Sequence, residues 1–333
     1  MSSLSHAEWL RTTVEEILEP SLEIVDPHHH LWDFPTNPYR LAELHADTGS
    51  GHNVTQTVFV ECTWGYRTDG PEHLRLVGET EHVAAEARAS VAAGGAEIAA
   101  IVSRADLTAG AAVEELLLAH DAAGDGKFRG IRHATAWDAD PAIHETHTRP
   151  GPGLMGTAAF REGFATLSRL GFSFDAWLYH PQIHELTDLA RAFPEATIVC
   201  DHLGGPIGVG PYAGRRDEVL AAWRPQMTEL ASCPNVVLKV GGIGMTSYGM
   251  DWHRRPTAPT STELAAAWGD EIRYCIDLFG PDRCMFESNF PVDGRSVSYA
   301  VLWNAFKRIA ADASPSEKAA LFAGTARRTY RIA

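Results

Sequence analysis

The chain has 333 residues, 45% of them hydrophobic, and a formal net charge of −15 at pH 7. That supplies apolar material for one large α/β barrel or two ordinary domains. The acidic balance argues against a nucleic-acid or anionic-membrane surface, but it leaves room for a local arginine pocket that takes an anion. Five cysteines, odd in number and scattered, suit a reducing compartment better than a disulfide framework. Residues 1–20 hold no apolar block of signal-peptide length, and no run approaches 18 apolar residues. The expected location is cytoplasmic, without a membrane span.

In chain order, residues 6–18 carry a helical apolar rhythm (Trp9, Leu10, Val14, Ile17, Leu18). They predict a helix within an extension of residues 1–20, ahead of the fold proper. Residues 22–31 read as a buried strand that ends in Asp26-Pro27-His28-His29-His30-Leu31-Trp32. On a regular strand Asp26, His28 and His30 share one face and His29 takes the other. Two imidazoles at i and i+2 can reach one small object, most simply a divalent cation. The aromatic, polar segment 32–53 reads as a loop or short helix over a site.

From there strands and helices alternate. Strands are predicted at 55–62, 98–105, 128–134, 173–179, 197–202, 236–240 and 284–287. Helices are predicted at 72–93, 111–122, 158–170, 183–192, 217–231 and 263–279, with 298–311 and 316–330 closing the chain. A polar insertion at 137–153 and a Gly-rich insertion at 241–260 interrupt the series. Short apolar strands without clean alternation are those buried on both faces. Eight such units with no break in composition predict one closed (β/α)8 TIM barrel over 22–333, the chain forming one domain over 1–333. An open doubly wound sheet is the alternative, but it should carry a Gly-rich loop after the first strand, and 26–32 has no glycine.

A barrel of this kind builds its site at the C-terminal strand ends. There the chain delivers His28 and His30, then Glu61, Trp64 and Tyr66, then Arg104 and Asp106, then Arg132 and His133. Further round come His180, Asp201 and His202, Lys239, and finally Glu287 and Asn289. A lone histidine at a strand end is usually structural; His28, His30, His180 and His202 on one rim read as one functional site. Arg104 and Arg132 either pair with Asp106 or Glu61, or clamp a substrate carboxylate, which a guanidinium suits. Trp32, Trp64 and Tyr66 read as pocket walls or as plain packing. His144 and His147 are expected to be solvated, and Cys62 to be buried and inert.

These residues resemble the amidohydrolase superfamily. The motifs that carry the likeness are the His-x-His of His28 and His30 at the first strand end, His180-Pro181-Gln182, Asp201-His202-Leu203-Gly204, a last-strand Ser-x-aromatic-Pro, and the closing Gly324-Thr325-Ala326. The likeness is narrower to the amidohydrolase-2 branch of sugar lactonases, pyrone-dicarboxylate lactonase, muconolactone-type hydrolases and some non-oxidative decarboxylases, and it runs over residues 22–330. It implies that His28, His30 and His180 hold one divalent cation, zinc or manganese, with His202 beside them. The branch usually carries an aspartate, ligand and general base, where this chain has Asn289. The asparagine has no useful basicity near neutral pH, so metal-independent catalysis stays open.

Glu287 lies two residues earlier and shares a face with Asn289 on a regular strand, so it is the replacement base, its pKa raised by burial. Alternatively it pairs with Arg104, Arg132 or Lys239. No lysine is placed to bridge two metals as a carbamate. The expected function is a hydrolase that opens a lactone of a small, carboxylated compound. Water attacks, with Glu287, Asn289 and His202 catalytic and Arg104, Arg132, Trp32, Trp64 and Tyr66 binding the substrate. A non-oxidative decarboxylase and a catalytically silent binding protein are the rivals. The expected partner is a small anionic molecule, not nucleic acid or membrane; self-association is left open.

Overall fold

A computed structural model describes residues 4–144 and 146–333. In chain order the strands are β1 (Glu23–His29), a hairpin of β2 (Trp32–Phe34) and β3 (Asn37–Tyr39), β4 (Asn53–Val60), β5 (Glu97–Arg104), β6 (Phe128–Arg132), β7 (Ser173–Ala176), β8 (Ile198–Cys200), β9 (Val236–Lys239) and β10 (Cys284–Met285). Eight of them form one parallel sheet in the order β1-β4-β5-β6-β7-β8-β9-β10. Its ends meet through His30 N–H to the Phe290 carbonyl at 2.8 Å and Asn289 N–H to the His28 carbonyl at 2.9 Å. With helices packed outside, this is the expected (β/α)8 barrel.

The outer ring contains α3 (Val77–Ala93), α4 (Val113–Ala123), α5 (Ala158–Arg169), α6 (Ile183–Ala192), α7 (Arg216–Ala231), α8 (Ser261–Phe279) and α9 (Tyr299–Ile309), with α1 (His6–Leu10), α2 (Leu41–Thr48), α10 (Pro315–Ala319) and α11 (Thr325–Tyr330) as shorter pieces. Inside, Val25, Val58, Val60, Val102, Val199 and Met285 form an apolar floor closed by Ala326 and Tyr330. Polar side chains therefore collect above that floor. Among the described residues no helix is long and apolar enough to cross a membrane.

Two local expectations change. The helix at 6–18 is helical only over His6–Leu10, capped by Ser5 and Glu8. Beyond it the chain is an extended strap. Thr13 Oγ1 donates to Ala258 O at 2.6 Å, Ala258 N–H to Thr12 Oγ1 at 2.9 Å, and Ser261 N–H to Glu15 at 2.7 Å. Buried Lys307 donates to the carbonyls of Leu18 and Glu19 at 2.8 and 2.9 Å. Threonines are poor helix formers, and these tertiary partners outweigh the apolar rhythm.

In β1 the pairing register shifts between Asp26 and His29, at Pro27, which has no N–H for the ladder. The shift inverts the side-chain phase. Asp26 turns out to Tyr299 of α9, which donates to it at 2.9 Å, while His28 and His30 turn in. Asp26 therefore does not share the face of His28. His29 does point the other way, and its Nε2 meets Thr57 Oγ1 at 3.0 Å.

His120 ties the outer layer together. Its Nε2–H donates to the Arg104 carbonyl at 3.0 Å, and its Nδ1 takes the Thr80 hydroxyl at 2.7 Å. Burial pushes its pKa down to about 4. The unfolded chain therefore binds the extra proton between that value and about 6.5, so this contribution is complete above 6.5 and lost as pH falls through 4. His120→Gln should flatten the pH dependence of the urea-unfolding free energy in that window by up to about 1.4 kcal/mol per pH unit. An unchanged slope would remove His120 from the acid response.

Candidate active site

The barrel centre is a buried network of charge. Lys239, the last residue of β9, meets Asp175 at 2.7 Å and Asp201 at 3.0 Å, all three without solvent exposure. Tyr330 donates to Asp175 from the floor at 2.6 Å. Burial alone would lower the lysine's pKa, but Asp175 and Asp201 outweigh it and raise it, so the ammonium is fixed. Asp175 is pushed up to about 6 by burial, and Lys239 opposes that shift. Asp201 is held below the usual carboxylate value: burial raises it, but Lys239, His202 and Arg132 overcome this.

Above the lysine, Glu287 bridges two imidazoles. Its Oε1 accepts from His202 Nδ1 at 2.7 Å, and its Oε2 lies 3.0 Å from His28 Nδ1. The paired glycines after β9 allow this approach. A Cβ on Gly241 would sit 2.3 Å from Glu287 Cγ, and one on Gly242 would sit 2.8 Å from His202 Cβ. His28, His202 and Glu287 place ligand-type atoms within 4.8 Å of one another. Burial, then Lys239, holds His28 well below its usual pKa and so neutral.

His30 and His180 lie outside that group. The His30 Nδ1–H donates to the Val60 carbonyl at 2.8 Å, which leaves its Nε2 lone pair free. Its ring stands 5.0 Å from that of His28, edge to face, and burial with Arg132 pushes its pKa down to about 3. His180 packs edge to face on Tyr212, and its Nδ1 takes the Ile207 N–H at 3.4 Å. The structure thus brings together one of the three expected ligands, His28, with His202 and Glu287.

The last strand also departs from expectation. Regular pairing of β10 stops at Met285, and Asn289 adopts a left-handed φ of 53°. Glu287 and Asn289 therefore do not share a face. Glu287 enters the barrel, while the Asn289 amide donates to Asp293 Oδ1 at 2.8 Å. Glu287 contacts the two histidines rather than Arg104 or Arg132.

The rim is split between occupied and free groups. Arg132 donates to Glu61 Oε1 at 2.8 Å and to the Glu61 carbonyl at 2.6 Å, and its Nη1 lies 3.4 Å from His28 Nε2. Among the described residues the Arg104 guanidinium donates only to the Tyr66 hydroxyl, at 3.4 Å. His147 is not simply solvated: its Nε2 stands 3.3 Å from Glu61. Trp32 stacks on His30 at 5.9 Å, whereas Trp64 packs edge to face on His82. Cys62 donates to the Leu31 carbonyl, and burial pushes its pKa well up, so the thiol is inert. Sequence reasoning missed Lys239 and Asp175 as the electrostatic centre. The signal was present: a lysine ending Val236-Val237-Leu238 has to find anions inside the barrel.

An amidohydrolase family model matches residues 25–332. An uncharacterized protein of Sinorhizobium fredii is 33% identical over 93% of this chain and 99% of its own. An L-fucono-1,5-lactonase of Burkholderia multivorans is 27% identical over 92% of this chain and 96% of its own. An amidohydrolase of Burkholderia multivorans, solved with bound zinc, superposes with a TM-score of 0.72 at 25% identity, covering 93% of this chain and 99% of that one.

Proposed function

The chain belongs to the amidohydrolase family, and from that premise we propose that it opens the ring of a small, carboxylated lactone by water attack at the barrel mouth. The carrying observation is the Glu287–His202 pair, a buried carboxylate that fixes an imidazole tautomer beside His28. Two lactonases among the relatives, at 27% and 26% identity, support the reaction class.

The donor set fits a divalent cation. Among the described residues, Arg132 and Lys239 are the arginine and lysine that face the buried carboxyl groups of Glu61, Asp175, Asp201 and Glu287, and Glu287 Oε2 has no hydrogen-bond partner. That excess of negative charge asks for compensation. His28 and Glu287 would hold the ion, and it would supply Lewis-acid polarisation of the carbonyl, leaving the His202 Nε2 lone pair for the proton.

The protein's own groups do the rest. With Nδ1–H given to Glu287, the His202 Nε2 lone pair takes a proton from water as its oxygen bonds to the lactone carbonyl carbon. Arg132 stands beside His28, where negative charge develops on the carbonyl oxygen. Collapse breaks the ring C–O bond, and the proton returns to the leaving alkoxide. Trp32 walls one face of the ring. The product acid ionises, so each turnover releases one proton to solvent.

A pH-indicator assay with L-fucono-1,5-lactone and related lactones tests this, run beside elemental analysis of the purified protein. Proton release, with about one zinc or manganese per chain and loss on chelation, is the expected result. Full activity of metal-free protein would remove the ion from the reading. Alkalinisation with carbon dioxide from an unsaturated acid would replace lactone opening by decarboxylation. Tight lactone binding without turnover would leave only a binding protein.

A further inference from the structure

Of the arginines expected to hold a substrate anion, Arg132 donates to Glu61 and Arg104 to Tyr66, and a second cavity region above them, formed by the loops over the barrel mouth, has arginines of its own. That cavity, about 960 Å³, begins at Phe290 and Pro291, directly after Asn289. It is near the upper end of the range usual for small-molecule sites, roughly 300–1,000 Å³. Its walls come from the β2–β3 hairpin, both insertions, and α1, through His6 and Leu10.

Two arginines reach it. Arg254 meets Asp251 at 3.5 Å. Arg295 is exposed, and its guanidinium makes no hydrogen bond or ion pair among the described residues. Its backbone, however, is held on both sides. Asp293 accepts the Gly244 N–H at 2.7 Å and the Asn289 amide at 2.8 Å, and the Gly294 carbonyl accepts from His6 Nε2 at 2.8 Å. A guanidinium on a braced turn is delivered to a fixed place on the cavity wall and keeps its five donors for a ligand.

We propose that Arg295 is the specificity-determining residue of this site, recognising a carboxylate on the substrate in a cavity that the N-terminal helix α1 helps to wall. The hydroxyl and amide groups of Asn37, Ser247 and Ser298 on the same cavity suit hydroxylated carbons. The ligand class is therefore the lactone of a sugar diacid, with the ring at His28 and His202 and the distant carboxylate at Arg295. This rests on the lactonase reading for the ring end only.

The test compares wild type, Arg295→Gln and Arg295→Lys on D-glucaro-1,4-lactone, which is anionic, and L-fucono-1,5-lactone, which is neutral. D-Glucarate is titrated calorimetrically against each protein. Wild type should favour the anionic lactone. Arg295→Gln should lower the anionic-to-neutral ratio of kcat/KM about 10- to 100-fold, mainly through KM, and weaken glucarate binding by a similar factor, as expected for one charged hydrogen-bonding group. Arg295→Lys should restore part of both, since it keeps charge but not the fork. A ratio and a glucarate affinity within about twofold of wild type in Arg295→Gln, or no glucarate binding to wild type, would overturn the assignment. If neither lactone is opened, the lactonase reading fails, and the glucarate titration still decides Arg295.

Discussion

Glu287→Gln should lower kcat for the best lactone by about 10²- to 10⁴-fold, the range for disabling a positioned general base, here His202. The amide is nearly isosteric, but it is neutral and can present an N–H to His202. In the native chain Glu287 accepts from His202 at 2.7 Å, and its other oxygen lies 3.0 Å from His28. With an amide in its place the His202 tautomer is no longer fixed, and a negative charge leaves the centre. Kinetic loss of that size corresponds to about 3–5 kcal/mol of transition-state stabilisation. The variant should stay folded, because Lys239 keeps both aspartates, and circular dichroism with metal analysis checks this. A kcat within tenfold of wild type, in folded protein, would remove Glu287 from the proton-transfer machinery.

Lys239→Met should be the most damaging change to stability, about 3–5 kcal/mol in urea unfolding at neutral pH. The side chains are similar in length, so the loss is electrostatic: Asp175 and Asp201 remain, fully buried, without their cation. The pH dependence separates this from a packing defect. Asp201, held low in the native protein mainly by Lys239 against burial, contributes stability above its unfolded value that is lost on acidification. Without the lysine both aspartates hold protons more tightly, so the deficit should shrink as pH falls from 7 toward 4. A deficit independent of pH would point to packing instead. Restoring most of the stability with Lys239→Met plus Asp175→Leu would confirm the pairing.

Much of the architecture was legible because parallel strands buried on both faces leave short Val- and Ile-rich runs, and these recur through the chain. Local periodicity misled where tertiary geometry intervened. Pro27 shifts the phase of β1, which turned Asp26 out and left His28 and His30 in. The left-handed Asn289 separates it from Glu287, although spacing alone puts them on one face. The strap reads as a helix until the partners of Thr12, Thr13 and Glu15 are known. His147 lies in a stretch with no periodicity at all, and only its fold-back onto Glu61 shows that it belongs to the mouth.

The Tyr330 plug bears on how this chain is made. The phenol that satisfies Asp175 arrives 155 positions after it, and Lys239 meets His28 across 211 positions. During synthesis, the six barrel strands that emerge before β9 carry Asp175 and Asp201 without Lys239, over a floor that Tyr330 has not yet closed. Such long-range closures are slow, because chain entropy is spent before contacts repay it. The six-stranded intermediate is therefore the species expected to be most exposed to aggregation, and docking of α11 closes its floor.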